Sequence, residues 1–180
     1  MDQGDSDLDR ALRELRREHR LEQEDVEEAI ELAERAGRTL AEVALEFLYR
    51  SDSIRITVGE RTWTGVVVHV GTGVMTVRTK ACAEIDVDYE GLTSIRVVER
   101  ARSGGMSRDS KHPGELLARL RELEDSEQIV EVGGRRLEPV VGTVAVVARS
   151  HVEFRARDGG AWILPLGEID YVIRACEPSP

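Results

Sequence analysis

Residues 61–78 read RTWTGVVVHVGTGVMTVR, and residues 138–155 read EPVVGTVAVVARSHVEFR. Each stretch places a Gly before a run rich in Val and interrupts that run with a short small or polar segment. An apolar alternation then resumes and ends at an Arg. The segment 65–78 aligns with 142–155 without a gap. A pattern that recurs at a fixed distance is the signature of an internal repeat.

The flanks of the two stretches extend the match. ITVG at 56–59 aligns with VEVG at 130–133, and LTSIRVV at 92–98 aligns with LGEIDYV at 166–172. An apolar period of 3.6 residues predicts one amphipathic helix before each half. The period then changes to two residues, which predicts five short strands in each half. The repeating unit is therefore predicted to be one helix followed by five strands, the composition of a small bent barrel.

This layout resembles the Sm-like family of small β-barrels, in which an N-terminal helix precedes five bent strands. Other SH3-like barrels share much of the pattern. The resemblance covers residues 39–100 and 114–175. The motifs that carry it are IRITVGERTWTGVVVHVGTGVMTV, IVEVGGRRLEPVVGTVAVVARSHVEF and the closing segments GLTSIRVV and PLGEIDYV. It implies an α+β chain, with N-terminal helices followed by two tandem five-stranded Sm-like barrels, each with a leading helix.

The predicted domain organisation has four parts. Residues 1–38 form an acidic helical region, and residues 39–100 form the first barrel with its leading helix. Residues 101–113 form a linker whose Gly, Ser and mixed charges indicate flexibility. Residues 114–180 form the second barrel with its leading helix.

The resemblance also implies RNA binding in the turn between the second and third strands, where family members use an Asp and an Asn. That turn reads GTGVM at 71–75 and ARSHV at 148–152, so neither half has these residues. The remaining candidates for nucleic-acid contact are basic or polar side chains of the second half. They are Arg149, Ser150 and His151 in the turn, and a basic patch of Arg135, Arg136, Arg155 and Arg157.

The charge distribution weighs against a duplex-DNA binder. The formal net charge is -10, and residues 1–53 alone hold 16 acidic and 8 basic residues. Proteins that bind duplex DNA usually carry a basic excess that neutralises phosphates.

A helix-turn-helix is a weaker alternative. Ala33, Gly37 and Val43 fall at the spacing that lets two helices cross at a turn. However, the helix that would read the DNA presents Glu42 and Glu46, whereas base edges are usually read by Arg, Lys, Asn or Gln.

No residue pattern indicates catalysis. Glu84, Asp86 and Asp88 alternate along one strand and offer carboxylates for a hard cation. The Gly-containing loop usual for such sites is missing, so we predict an exposed acidic face that discourages edge pairing. Trp63 and Trp162 are candidates either for base stacking or for the core.

The sequence therefore predicts a non-enzymatic binding or scaffolding module that acts by protein–protein interaction or self-assembly, with no cofactor, metal or small-molecule substrate. An RNA- or other nucleic-acid-binding regulator is the alternative. No apolar run approaches the ~20 residues of a membrane span. The acidic N-terminal segment does not have the layout of a signal peptide. We therefore expect a cytoplasmic protein without a membrane partner.

Overall fold

The computed structural model of the chain describes Ile30, residues 32–101 and residues 114–175. Most of the predicted acidic helical region therefore lies outside the described residues. The same holds for the predicted linker after Ala101, and for Cys176.

The chain divides into two compact units, Met1–Thr39 and Leu40–Pro180. In the first unit, residues 32–36 are helical. The second unit contains two halves, each with one helix and five strands. The first half consists of α1 (Leu40–Arg50), β1 (Ser53–Val58), β2 (Arg61–Val70), β3 (Val74–Thr79), β4 (Ala83–Asp88) and β5 (Ser94–Glu99).

The second half repeats this order and adds a short 3-10 helix, Leu166–Glu168, before its last strand. Its other elements are α2 (Leu116–Ser126), β6 (Val130–Gly133), β7 (Val140–Val147), β8 (His151–Ala156), β9 (Ala161–Pro165) and β10 (Tyr171–Ala175). Both helices form because apolar residues recur on one face. α1 buries Ala44, and α2 buries a stripe that includes Leu116, Leu120 and Leu123.

All ten strands form one antiparallel sheet in the order β5-β1-β2-β3-β4-β10-β6-β7-β8-β9. The prediction of N-terminal helices followed by two five-stranded barrels was wrong, because the described strands form a single sheet that is not closed. The physical reason lies at β4 and β10, which pair across the two halves. Each of these strands uses its free backbone edge on the other half, so neither half closes on itself.

The two halves nevertheless share one pairing register. Gly65 pairs with Thr79 in the β2–β3 hairpin, and Gly142 pairs with Ala156 in the β7–β8 hairpin. Each further pair in these hairpins, including one register shift, recurs 77 positions later in the chain. The repeat is therefore visible in the backbone hydrogen bonding as well as in the amino-acid sequence.

Unusual backbone conformations recur at matching positions. Ser51 and Glu127, directly after α1 and α2, have left-handed φ angles of 57° and 50°. Cys82 and Gly159, in the turns before β4 and β9, have φ angles of 59° and 89°. Two equivalences therefore relate the halves: 40–58 with 116–134, and 61–98 with 138–175.

Both flanks of the sequence alignment were displaced from these equivalences. The closing flank was displaced by three residues, since 92–98 is equivalent to 169–175 and not to 166–172, and the first flank was displaced by two. Ile54 pairs with Gly65, and Val130 pairs with Gly142. Ile54, and not Ile56, is therefore the counterpart of Val130. A strand has a side-chain period of two, so an alignment that slides by two residues keeps every apolar residue on its face and leaves the pattern unchanged.

Two apolar clusters fill the unit, and each draws a residue from the other half. Tyr171 of β10 packs in the first-half cluster with Ile54, Met75 and other residues. Val74 of β3 packs in the second-half cluster. The halves therefore share their cores across the β4–β10 pair.

Candidate functional site

The β4–β10 pair, which we call the inner junction, joins two sheet edges within one chain. It runs from Tyr171 opposite Val87 to Ala175 opposite Ala83. Beyond these pairs, the backbone N–H of Asp88 donates to the carbonyl of Asp170 at 2.9 Å. The inner junction therefore shows directly how one half of this protein contacts another.

A buried carboxylate lies at the centre of the inner junction. Asp86 of β4 is only 1% exposed. It accepts hydrogen bonds from Arg174 Nε at 3.0 Å and from Thr76 Oγ1 at 2.6 Å. Arg119 Nε of α2 lies 3.0 Å from Asp86 Oδ2, as an ion pair without hydrogen-bond alignment. Three elements therefore converge on one charge.

Glu84 extends this arrangement along β4. It pairs with Arg174 at 2.9 Å and with Arg78 at 2.5 Å. We call Glu84, Asp86, Arg119 and Arg174 the junction cluster. A buried charge is tolerated only where opposite charges and hydrogen bonds compensate its lost hydration. β4 is therefore suited to a neighbouring strand that supplies a cation.

The prediction of an exposed acidic face on β4 was wrong. Glu84 and Asp86 are buried, and only Asp88 is partly exposed. Burial raises the pKa of Asp88. The arginines that compensate Glu84 and Asp86 lie on α2 and β10, far along the chain, and nothing in the local pattern of β4 indicates them. Sequence reasoning missed Arg119 and Arg174 for this reason.

A second contact also ties the two halves together. Tyr171 packs edge-on against Trp63, with ring centroids 4.8 Å apart. Its hydroxyl donates to Glu131 at 3.1 Å, and Glu131 pairs with Arg61 of β2. Burial, together with the nearby Glu131, raises the pKa of Tyr171 to about 12, so the hydroxyl remains a donor at neutral pH. Trp63 thus packs against the core.

The sheet of the described residues ends at two edge strands, β5 and β9, each of which pairs with a neighbour on one side only. By the equivalence of the halves, β5 is the counterpart of β10, and β9 is the counterpart of β4. The two outer edges are therefore the same two kinds of edge that meet at the inner junction.

The outer edge at β9 is apolar and exposed. Trp162 is 47% exposed and Ile163 is 71% exposed, whereas Ile85, the counterpart of Trp162, is fully buried beneath its neighbours. Natural edge strands usually carry charges, bulges or Pro that prevent further pairing. β9 contains no charged residue and only a terminal Pro165. It therefore resembles an interior strand that lacks its neighbour.

The opposite outer edge, β5, carries its own apolar residues. Val98 is 49% exposed, and Ile95 and Val97 are partly buried. The counterparts of Ile95 and Val97 on β10 are Val172, which is fully buried, and Arg174. The residues of β5 that correspond to the junction-facing residues of β10 therefore have no neighbouring strand over them on their outer side.

The residues predicted to contact nucleic acid lie in two turns, one loop and one strand of the second half. Arg149, Ser150 and His151 lie at the β7–β8 turn. Arg155 and Arg157 lie at or beyond the other end of β8.

The remaining predicted basic residues, Arg135 and Arg136, lie in the β6–β7 loop. Arg135 pairs with Asp170 at 3.2 Å, and Arg136 lies 3.6 Å from Glu168. The neighbouring acids therefore reduce the positive potential that a phosphate would meet.

In the first half, the turn equivalent to Arg149–His151 is already in contact with the chain itself. The carbonyl of Gly114 accepts hydrogen bonds from the Gly73 N–H at 2.9 Å and from Thr72 Oγ1 at 3.2 Å. The two turns therefore have different surroundings and do not make a matched pair of binding sites.

The remaining predictions concern a helix-turn-helix, a metal site and a membrane span. Ala33 and Gly37 belong to the first unit and Val43 to the second, so the helix-turn-helix stays a prediction. Among the residues that the structure describes, no three His, Cys, Asp or Glu side chains are grouped to hold a metal ion. No helix in the same part of the chain is both long and apolar enough to cross a membrane.

Comparison of the chain with protein-family models, with curated proteins and with solved structures found no match. The functional inference therefore depends on the geometry of the inner junction and of the two outer edges.

Proposed function

We propose that the protein is a non-enzymatic scaffolding module that associates with further copies of itself through β5 and β9. The observation that supports this proposal most strongly is the uncharged, exposed β9 edge, since its counterpart β4 is already paired with the counterpart of β5. An open strand presents backbone N–H and C=O groups that a second strand satisfies. Self-association would repeat between chains the contact that the inner junction makes within one chain.

The proposed contact, which we call the outer joint, places β9 of one copy antiparallel to β5 of the next. The register of the inner junction, transferred through the equivalence of the halves, defines five facing pairs, from Gly160 opposite Val98 to Leu164 opposite Ser94. Three of these pairs lie at the centre of the contact. They are Ile163 opposite Ile95, Trp162 opposite Arg96, and Ala161 opposite Val97. Pro165 has no N–H, so the outer joint lacks the bond that Asp88 donates at the inner junction.

This contact is head-to-tail, because the two surfaces that meet are different. Such an interface generates a ring where the rotation between copies closes, and a filament where it does not. We place this assembly in the cytoplasm, in keeping with the free and exposed thiol of Cys82.

RNA binding is the alternative proposal. The exposed Arg149 and Ser150 favour it, while the separation of the predicted basic residues and the overall charge of -10 weigh against it. Fluorescence anisotropy with short RNAs at low and rising salt separates the two proposals. Tight, salt-sensitive binding that is lost on Arg149→Ala would favour RNA as the partner.

The variant Ile163→Lys tests the self-association proposal. We expect the wild-type chain to show a mass that rises with concentration in sedimentation velocity, and the variant to remain monomeric. The ammonium group would be buried against the apolar Ile95 of the next copy, and we expect this to weaken association by about 2–5 kcal/mol even with the Glu153 carboxylate of β8 beside it.

The matched control is Ile129→Lys, since Ile129 is 57% exposed but lies outside the edge strands. It should associate like the wild type. A wild-type chain that stays monomeric at every concentration, or an Ile163→Lys chain that associates as well as the wild type, would contradict the proposal.

A further inference from the structure

The four members of the junction cluster are charged, and their counterparts at the outer edges are all uncharged. Glu84 and Asp86 lie on β4, Arg174 on β10, and Arg119 on α2. The counterparts, in the same order, are Ala161 and Ile163 on β9, Val97 on β5, and Val43 on α1.

The assignment of Val43 to the position of Arg119 depends on the alignment of the two helices. Both helices have 11 residues, and both end at a residue with a left-handed backbone, Ser51 or Glu127. The most buried side chains, Ala44 in α1 and Leu120 in α2, then fall at the same position. The helices are therefore equivalent residue by residue.

The equivalence also predicts what covers the exposed face of β9. In the chain, α2 packs on β7 of its own half and reaches β4 of the preceding half, where Arg119 meets Asp86. The counterpart of α2 is α1. In the outer joint, α1 of the next copy would lie over β9 of the preceding copy, with Val43 close to Ile163.

Crossed pairings of the four edges would be unfavourable for opposite reasons. If β5 replaced β10 beside β4, Asp86 would meet Val97 and lose the Arg174 guanidinium. If β9 replaced β4 beside β10, Arg174 would lie against Ala161 and Ile163, with no carboxylate on the strand that it pairs with and only Glu153 on the strand behind it. Breaking a buried ion pair from one side leaves an uncompensated buried charge and is strongly destabilising.

We infer that the junction cluster is a pairing code that sorts the two kinds of contact. Its charges direct β4 to β10 within one chain, and the apolar set Ile163, Val97 and Val43 directs β9 to β5 and α1 of a second copy. This inference rests on the proposed self-association. It adds which strands are excluded from pairing, and it adds α1 to the outer joint.

Transplanting the charges onto the outer edges tests the code. We expect Ile163→Asp alone to prevent self-association, and we expect the same of the pair Val97→Arg and Val43→Arg. All three substitutions combined in one chain should restore assemblies of wild-type size. The outer joint then carries the counterparts of Asp86, Arg174 and Arg119, and Glu153 of β8, directly opposite position 163, supplies the second carboxylate in the place of Glu84. The affinity of the combined variant should lie within about tenfold of wild type, while the partial variants should lose at least about a hundredfold.

The matched control places two charges of the same sign at the same edges. Ile163→Asp combined with Val97→Asp should remain monomeric. Sedimentation velocity gives the assembly size of each variant, and thermal unfolding shows that each is folded. If the combined variant does not fold because Val43 is partly buried, Ile163→Asp with Val97→Arg alone gives the same test without a change in α1.

The outcomes separate this inference from the proposed function. Restored assembly by the combined variant, but not by the control, supports the pairing code. A wild-type chain that associates while the folded combined variant does not would overturn the code and leave self-association intact. A wild-type chain that never associates would overturn the proposed function itself, and the pairing code with it.

Discussion

The variant Asp86→Ala should lose about 3–5 kcal/mol of unfolding free energy, the usual effect of removing one partner from a buried ion pair. The Asp86 side chain is almost completely buried and contacts Arg174, Arg119 and Thr76. Its removal leaves two guanidinium groups in the interior with less compensating charge. Urea denaturation of the wild type and the variant measures the difference in unfolding free energy, with the same m-value (the dependence of that free energy on urea concentration) expected for both.

Two controls show whether charge burial is the cause. Glu99→Ala removes an exposed carboxylate at the end of β5 and should change stability by less than about 0.5 kcal/mol. The uncharged set of the outer edge, introduced as Glu84→Ala, Asp86→Ile, Arg174→Val and Arg119→Val together, should stay close to wild-type stability, because hydrophobic replacement of a buried ion pair is often neutral. An Asp86→Ala chain as stable as wild type would show that the cluster does not hold the inner junction together.

The second large effect is expected from Gly142→Ala. A Cβ atom at this position would lie 2.0 Å from the carbonyl oxygen of Arg155. That oxygen belongs to the backbone of the paired strand β8, so relief requires the β7–β8 ladder to separate. We expect a loss of about 3 kcal/mol or more, at the upper end of what overpacking produces. Gly65 has the same contact, at 2.2 Å from the carbonyl oxygen of Arg78, and should respond alike.

Gly167→Ala is the matched control for this prediction. Nothing lies within 4 Å of a Cβ built at Gly167, and its φ is not left-handed. Thermal unfolding should show little change for Gly167→Ala and a large fall in midpoint for Gly142→Ala. Equal midpoints for the two variants would contradict the close approach of β7 and β8.

The repeat could be recognised from the sequence because its most constrained positions carry a distinctive residue. Gly65 and Gly142 stand where a neighbouring backbone leaves no room for a side chain, so the same residue recurs in both halves. The flanks have no such marker. The apolar alternation of the first flank survives a slide of two residues, and the alignment of Ile56 with Val130 was displaced by that amount. In the closing flank, Ile95 was aligned three residues away from its counterpart Val172.

The joining of the two halves into one open sheet could not be predicted, because strand patterns do not say which edges pair. Glu84 and Asp86 alternate with apolar residues, as they would on a solvent-exposed face. The side chain that makes them an interior pair, Arg174, lies 88 residues after Asp86. A single Arg between apolar neighbours gives no indication of that contact.

The exposed edge was equally hidden in the sequence. AWILP at 161–165 has the composition of a buried strand, and only the strand order shows that its outer side is unpaired. Comparison of equivalent positions, once the register is known, shows that β9 has Ile163 where β4 has Asp86. Among the residues chosen from the sequence, Arg149 was selected by its place in a turn and Arg155 by its charge, and the fold places them at different ends of β8.

Disulfide trapping of the outer joint tests the central claim most directly. In a chain with Cys82→Gly and Cys176→Ser, the further pair Ile95→Cys and Ile163→Cys places one thiol on each outer edge, in the predicted facing positions. Mild oxidation should give a ladder of covalent oligomers on a non-reducing gel. Val98→Cys with Ile163→Cys, which is three positions out of register, should not. No ladder from the facing pair, or an equal ladder from both pairs, would contradict self-association through β5 and β9 in the register of the inner junction.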